Sequence, residues 1–214
     1  MALILNVPYS EKDQAKALGA KWNPKLKKWY VERRKDYNKF IKWILDGEEE
    51  TTIICDELYI VEGIHTCFKC KNKTKVIGFG IKKYFNIYNP DEYDDTIEFC
   101  DDDIRIVSQI DPLPTNLQKY LLEKYNYYKD FSKTTRSRYF ANHCSNCKII
   151  QGEFFLFGEV DSPFFIESPE DAKNLVLYKI PLKNDIILNA NIGFGSTDWM
   201  IEKYARIEEL DISI

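Results

Sequence analysis

The sequence predicts an α+β chain in two parts: a small basic βαββα unit over residues 1–46 and a larger acidic α+β body over 51–214 with an insert at 81–132. Three observations lead there. Charge is segregated: residues 1–46 hold eleven Lys/Arg against five Asp/Glu, so a net charge of −4 for the chain leaves −10 for the remainder. Short strand-like runs alternate with helical stripes along the chain. Two Cys-x-x-Cys turns, Cys67-Phe68-Lys69-Cys70 and Cys144-Ser145-Asn146-Cys147, stand 73 residues apart in the second part. With 214 residues, 44% of them hydrophobic and 30% charged, the chain has the means to bury an ordinary core.

Leu3-Ile4-Leu5-Asn6-Val7 reads as a strand that Pro8 ends. Ser10 is placed as an N-cap with Asp13 three residues on. The helix runs from Glu11 to Leu18, with Ala15 and Leu18 facing inward, and Gly19 stops it in the left-handed position. Trp22 follows on a short strand, Asn23-Pro24 turns, and Lys28-Trp29-Tyr30-Val31 returns as its partner. A second α-helix is expected from Arg34 to Leu45, since Tyr37, Phe40, Ile41 and Ile44 follow the helical period. Lys21, Lys25, Lys27 and Lys28 cluster on the hairpin beside Trp22, Trp29 and Tyr30. Cations neutralise phosphates and an exposed aromatic face stacks on a base, so these residues are candidates for nucleic-acid contact. The competing reading makes both tryptophans the core of a small unit and the lysines its solvated face.

Leu5-Asn6-Val7-Pro8-Tyr9, Glu11-Lys12, Ala15-Lys16, Leu18-Gly19-Ala20, Trp22 and Lys28-Trp29-Tyr30-Val31 together resemble a small bacterial domain, the domain-of-unknown-function family 5710. Its pattern runs LNVPYxEKxxAKxLGAxW and then KxWYV. The resemblance covers the first 31 residues and departs at Glu32, where the family commonly has proline. That family often stands attached to plasmid primases and other DNA-handling proteins. The resemblance therefore implies a nucleic-acid-associated accessory module and no catalysis. The same arrangement is similar, more faintly, to the DNA-fork-binding domain of annealing helicases.

Asp46-Gly47-Glu48-Glu49-Glu50 reads as a linker, after which Ile53-Ile54 and Leu58-Tyr59-Ile60-Val61 suggest strands. His65 precedes the first cysteine turn and a strand over Thr74 to Phe79 returns from it. His143 precedes the second, followed by Ile149-Ile150 and an expected strand over Glu153 to Phe157. The insert carries the acidic runs Asp91 to Asp95 and Asp101-Asp102-Asp103. It also carries a helix from Asn116 to Tyr127, capped by Thr115 with Gln118 and packing by Leu117, Tyr120 and Leu121. Leu175 to Tyr178 and Asp185 to Leu188 read as strands. A last helix starts near Ser196-Thr197-Asp198 and turns Ile201, Tyr204 and Ala205 inward. Gly78-Phe79-Gly80 and Gly193-Phe194-Gly195 lack a P-loop lysine or a third fingerprint glycine and read as turns.

A Cys-x-x-Cys turn brings two thiolates within reach of one ion, and two such turns supply the four soft ligands of tetrahedral zinc. Cys67, Cys70, Cys144 and Cys147 are accordingly the expected ligands of a structural zinc in a zinc-ribbon-like site. A redox dithiol expects a thioredoxin-like βαβ setting, which the sequence does not offer. Catalytic zinc needs an open coordination position, which four cysteines close. His65 or His143 could replace a cysteine, but the symmetry of the two pairs favours four thiolates and leaves the histidines to support the ligands or pack the turns. Cys55 and Cys100 are expected to be small half-buried or buried residues. The phrase Tyr139 to Cys144, with Gln151-Gly152-Glu153-Phe154-Phe155, is similar to uncharacterised bacterial four-cysteine zinc-ribbon-like proteins, a resemblance that implies no activity. Just before the second turn, Arg136 and Arg138 are candidates for phosphates and Tyr139 for a base. The competing reading there is a solvated loop with Tyr139 packed beneath the turn.

The chain has no Ser-His-Asp pattern, HExxH, EF-hand loop or Walker sequence, and two histidines in all. The expected function is therefore a non-enzymatic, zinc-stabilised accessory protein that binds nucleic acid or acts with DNA-handling machinery. The alternative is a protein-interaction module or inhibitor, of phage or mobile-element type, whose acidic insert occupies a partner's basic groove. No apolar run approaches the roughly 18 residues that span a bilayer. The N-terminus lacks the basic start of a signal peptide. No membrane partner and a cytoplasmic location are expected.

Overall fold

The structure is a computed structural model that describes residues 1–45, 51–88 and 96–214. The expected linker at Asp46 to Glu50 and the acidic run at Asp91 to Asp95 lie outside the described residues. In chain order the elements are β1 (Leu3–Leu5), α1 (Lys12–Ala17), β2 (Lys21–Asn23), β3 (Lys28–Val31), a 3₁₀ helix (Arg34–Trp43), β4 (Thr51–Cys55) and β5 (Glu57–Thr66). Then come β6 (Lys73–Ile87), β7 (Ile97–Val107), α2 (Thr115–Tyr125), β8 (Tyr127–Ser132), β9 (Ser137–Asn142) and a π-helical turn (Phe154–Gly158). The chain finishes with α3 (Pro169–Lys173), β10 (Val176–Pro181), β11 (Ile186–Leu188), α4 (Trp199–Tyr204) and β12 (Arg206–Glu209). The protein is α+β. Among the described residues no helix is long and apolar enough to cross a membrane. The chain forms two compact units from interleaved segments. The first is Met1–Glu57, Lys82–Asp102 and Pro181–Ala190; the second is Leu58–Ile81, Asp103–Ile180 and Asn191–Ile214.

In the first unit β1, β3 and β2 form an antiparallel sheet in that order, with Leu5 and Trp22 both opposite Trp29. Helix α1 buries Ala15 and ends as expected at Gly19, whose φ of 103° suits a residue without Cβ. Two expectations fail at its ends. Ser10 caps nothing: Pro8 opens a 3₁₀ turn over Tyr9–Glu11, and Glu11 takes the N-cap position with no side-chain bond. Leu18 is exposed, because it sits at the C-cap of a helix of six residues that turns one position inward. The second helix is 3₁₀ rather than α. Its buried residues Tyr37, Phe40 and Trp43 recur every third position, the period of that helix. Strand β4 pairs with β11 on one side and with Lys83 to Ile87 of β6 on the other. Leu3, Leu5, Val31, Tyr37, Phe40, Ile53 and Ile87 share one core. Beside it lies a half-buried polar knot around the buried Asp185. Arg34 donates from Nε and Nη2 to the two oxygens of Asp185 at 2.8 Å each, and from Nη2 to Asp56 Oδ1 at 2.7 Å. The Tyr37 hydroxyl donates to the same Asp185 at 2.8 Å.

In the second unit β5 and the first part of β6 form an antiparallel hairpin, Tyr59 opposite Gly80 through Thr66 opposite Lys73. Strand β10 pairs in parallel with β12, and β8 with β9 antiparallel. Tyr59, Val61, Val76, Ile104, Leu156, Leu177 and Ile201 form the core. Gly78-Phe79-Gly80 is not a turn but the middle of β6. A Cβ on Gly80 meets Tyr59, Ile104 and Val61 at 3.0 to 3.3 Å, so close packing explains the glycine. The expected strand at Glu153 to Phe157 is instead the π-helical turn. The neighbours Leu156 and Phe157 both pack inward, Phe157 stacked on Phe164, which a two-residue strand period does not allow. The α2 cap also differs: Pro114 is the N-cap without a side-chain bond, and Gln118 donates to the Leu113 carbonyl. In α4, Ile201 is buried, while Tyr204 and Ala205 pack from its half-buried edge.

Candidate metal centre and nucleic-acid interface

The two cysteine turns are built alike. In the first, at the end of the β5–β6 hairpin, the Cys67 N–H donates to the Asn72 carbonyl and the Lys71 N–H to the Cys67 carbonyl. In the second, after β9, the Cys144 N–H donates to Ile149 and the Lys148 N–H to Cys144. Lys71 and Lys148 each follow the second cysteine and each adopt a left-handed φ, 60° and 58°. A repeated Cys-x-x-Cys-Lys was present in the sequence as a sign of this identity. The two halves then diverge. The first has a strand on either side, as a ribbon does, whereas the second is followed by a single bridge, His143 to Ile150.

All four sulfurs lie within 4.8 Å of one another, with Cys67 to Cys147 at 3.7 Å and Cys70 to Cys144 at 3.6 Å. Zinc–thiolate bonds of about 2.3 Å place the corners of a tetrahedron about 3.8 Å apart. The donor set thus has the size and softness for one tetrahedral ion. Around it, Gln151 Nε2 donates to Cys67 Sγ at 3.6 Å. The Asn72 backbone N–H, against some burial, draws the Cys70 thiol down to about 6. Burial works against ionising Cys67, but the Cys70 and Lys69 N–H groups and the adjacent sulfurs hold its pKa below the ordinary thiol value. For Cys147 the Ile149 N–H favours the thiolate, yet burial and three sulfur neighbours push it up to about 11. The surroundings thus favour negative charge on Cys67 and Cys70 and oppose it on Cys147.

His143 is no ligand. It is fully buried, stacked on Tyr128 at 3.8 Å, with Nδ1 against the Ala141 carbonyl and Nε2 3.3 Å from Asp130. It holds the β8–β9 hairpin beside the second turn, the packing role expected of it. His65 lies in β5 opposite Thr74, and burial lowers its pKa. Cys55 is buried and Cys100 half-buried, and burial raises the Cys55 thiol well above its usual range.

The predicted nucleic-acid residues separate into two places. In the first unit Lys27, Lys28 and Trp29 line a cleft of about 330 Å³ with Trp22 and Tyr9. Trp22 is 49% exposed and meets Trp29 edge-on at 5.5 Å, so it is not core. Tyr9, 82% exposed, went unread in the sequence as a contact residue, although it is the last residue of the Asn6-Val7-Pro8-Tyr9 run. Lys21 and Lys25 do not line the cleft; Lys21 is paired with Glu32 at 2.6 Å. Among the described residues Lys25 and Lys27 have no ion-pair partner. In the second unit Tyr139 lines a larger groove of about 900 Å³ beside the cysteine turns, while Arg136 and Arg138 are exposed on the β8–β9 hairpin without lining it. Of the acidic insert, Asp101 stands 3.7 Å from Lys83.

Comparison with known proteins bears on one stretch. Residues 3–44 match the family described as Domain of unknown function (DUF5710). Two curated relatives, both described as DNA primase TraC from Escherichia coli, are 49% identical over 43 residues and 51% identical over 39. Those stretches are 20% and 18% of this chain but 4% and 3% of the relatives, so the chain spans a small fraction of the primases it matches. No solved structure matches the chain. The N-terminal segment is a DUF5710 domain, similar to short segments of DNA primases.

Proposed function

We propose that the protein is a non-catalytic accessory factor that binds nucleic acid, with the domain at residues 3–44 as its contact and one structural zinc on Cys67, Cys70, Cys144 and Cys147 holding the second unit. The observation that carries the reading is the likeness of that short segment to DNA primases. Its exposed cleft supports the contact, for it sets Lys27 and Lys28 beside Tyr9, Trp22 and Trp29. Lysines supply phosphate neutralisation and the rings supply faces for bases. The four soft sulfur donors support zinc over harder ions, which prefer oxygen. With four thiolates the ion has no open position, so its work is to fold rather than to activate water.

The test is an anisotropy titration of the full chain with labelled single-stranded and duplex DNA across a salt series. Binding at roughly 50 mM salt, falling with a log–log slope set by the few phosphates contacted, is expected. Lys27→Gln with Lys28→Gln should weaken it and flatten that slope by about two. Absence of binding at low salt to either form rejects the reading.

A further inference from the structure

The first cysteine turn reads Cys67-Phe68-Lys69-Cys70-Lys71-Asn72-Lys73-Thr74-Lys75, four lysines in nine residues with no acid among them. All four are exposed; Lys75 pairs with Glu62 at 2.7 Å, and Lys73 and Lys75 line a separate cavity, which leaves Lys69 and Lys71 beside Phe68. Three further cations, Lys133, Arg136 and Arg138, stand exposed along the β8–β9 hairpin, and Lys148 follows the second turn. Between hairpin and turns runs the groove of about 900 Å³. Its walls are aromatic to an unusual degree for open surface. Phe68 is 51% exposed and Phe155 45%, their rings stacked with centroids 6.5 Å apart. Phe154 stands 65% exposed against Phe155, and Tyr139 and Phe131 face the groove from the hairpin.

Phenylalanine rings left in water at this density mark a surface that meets something. The wall of the groove also holds two carboxylates, each held by hydrogen bonds. Asp130 faces His143 and accepts from the Phe131 N–H, and Glu153 accepts from Ser108 and Gln109. What the groove offers is flat apolar faces, with Lys133 and Lys148 in its wall and the exposed Lys69, Lys71, Arg136 and Arg138 on the turn and hairpin that carry those faces. An apolar peptide matches the first and not the second. A duplex matches the second and hides its bases from the first. A single-stranded nucleic acid matches both, with phosphates for the cations and unstacked bases for the rings.

We propose that this groove, set beside the cysteine turns, is a binding site for single-stranded nucleic acid, with Phe68, Phe155 and Tyr139 stacking on bases and three lysines on phosphates, Lys133 and Lys148 in its wall and Lys69 beside Phe68. The proposal rests on the nucleic-acid reading above and assigns to the second unit a contact surface of its own. The test is anisotropy of a short labelled oligothymidylate against the full chain, compared with a duplex of equal length. Phe68→Leu and Phe155→Leu keep an apolar side chain and remove the flat ring. Each should weaken oligothymidylate binding about tenfold, with the salt slope unchanged. Lys69→Gln, a surface change that does not threaten folding, should lower the single-strand salt slope by about one. Trp22→Leu in the N-terminal cleft separates the two claims. If it weakens binding while the phenylalanine variants and Lys69→Gln bind as the parent does, the groove proposal is overturned and the accessory-factor reading stands. If the parent binds neither oligothymidylate nor duplex at low salt, both fall.

Discussion

Arg34→Met should destabilise the first unit more than almost any other single change. The guanidinium makes two 2.8 Å hydrogen bonds to Asp185, whose side chain is 0% exposed, and a third at 2.7 Å to Asp56. Gross attraction at 2.8 Å in an effective dielectric of 20 is about 6 kcal/mol, an upper bound because both charges gave up water. Removing one partner of a buried pair leaves the other without compensation and costs about 3–5 kcal/mol. The Tyr37 hydroxyl is a remaining side-chain donor to Asp185, and one neutral donor does not replace a cation. Against a domain stability of about 5–15 kcal/mol this leaves the unit marginal. Urea denaturation followed by tryptophan fluorescence suits the question, since Trp22, Trp29 and Trp43 belong to the first unit and Trp199 to the second. The double variant Arg34→Met, Asp185→Leu removes both charges and should recover most of the loss. A loss under about 1 kcal/mol for the single variant, or no recovery in the double, refutes this account of the knot.

Two glycines should respond to alanine for different reasons. Gly80→Ala forces a Cβ to within 3.0 Å of Tyr59 and Ile104 and should cost about 1–3 kcal/mol by overpacking. Gly19→Ala meets nothing within 4 Å and should cost about 1 kcal/mol, through its φ of 103° alone. Equal sensitivity to a relaxing Val61→Ala background would contradict the distinction. The capping box of α3 predicts a pH effect. Asp171 accepts from the Ser168 side chain and backbone at 2.8 Å each, and that bonding, against slight burial, lowers its pKa. A carboxylate depressed in the fold stabilises above its unfolded pKa of about 3.9, and the effect disappears as pH falls through the lower folded value. Asp171→Asn should therefore lose about 1 kcal/mol at pH 6, with the gap to the parent closing below pH 4. A gap independent of pH contradicts the assignment.

Much of the architecture was legible because local chemistry and tertiary packing agree there. Gly19 ends α1 in the only backbone region that favours glycine, and Trp22 and Trp29 pair across the hairpin that Asn23-Pro24 turns. The sulfur cluster was legible for the same reason, since each Cys-x-x-Cys is a self-contained turn whose geometry depends on few distant residues. The failures fall where distant partners decide. Phe154 to Phe157 carries strand-forming residues, yet the inward pull on two consecutive side chains winds it into a π-helical turn. The 3₁₀ helix was missed because Tyr37, Phe40, Ile41 and Ile44 follow a period of 3.6, whereas Trp43, which completes the three-residue repeat of Tyr37 and Phe40, was not weighed. Asp185 offered no sequence signal that it would be buried against Arg34, 151 positions away.

The claim on which the account turns is one metal ion shared by two turns. Elemental analysis of the purified full chain, beside the same chain with Cys67→Ser and Cys144→Ser, addresses it directly. The account predicts one zinc per chain in the parent and none retained by the variant, which should also lose cooperative unfolding of the second unit. A parent free of stoichiometric metal, or a variant that keeps it, contradicts the account.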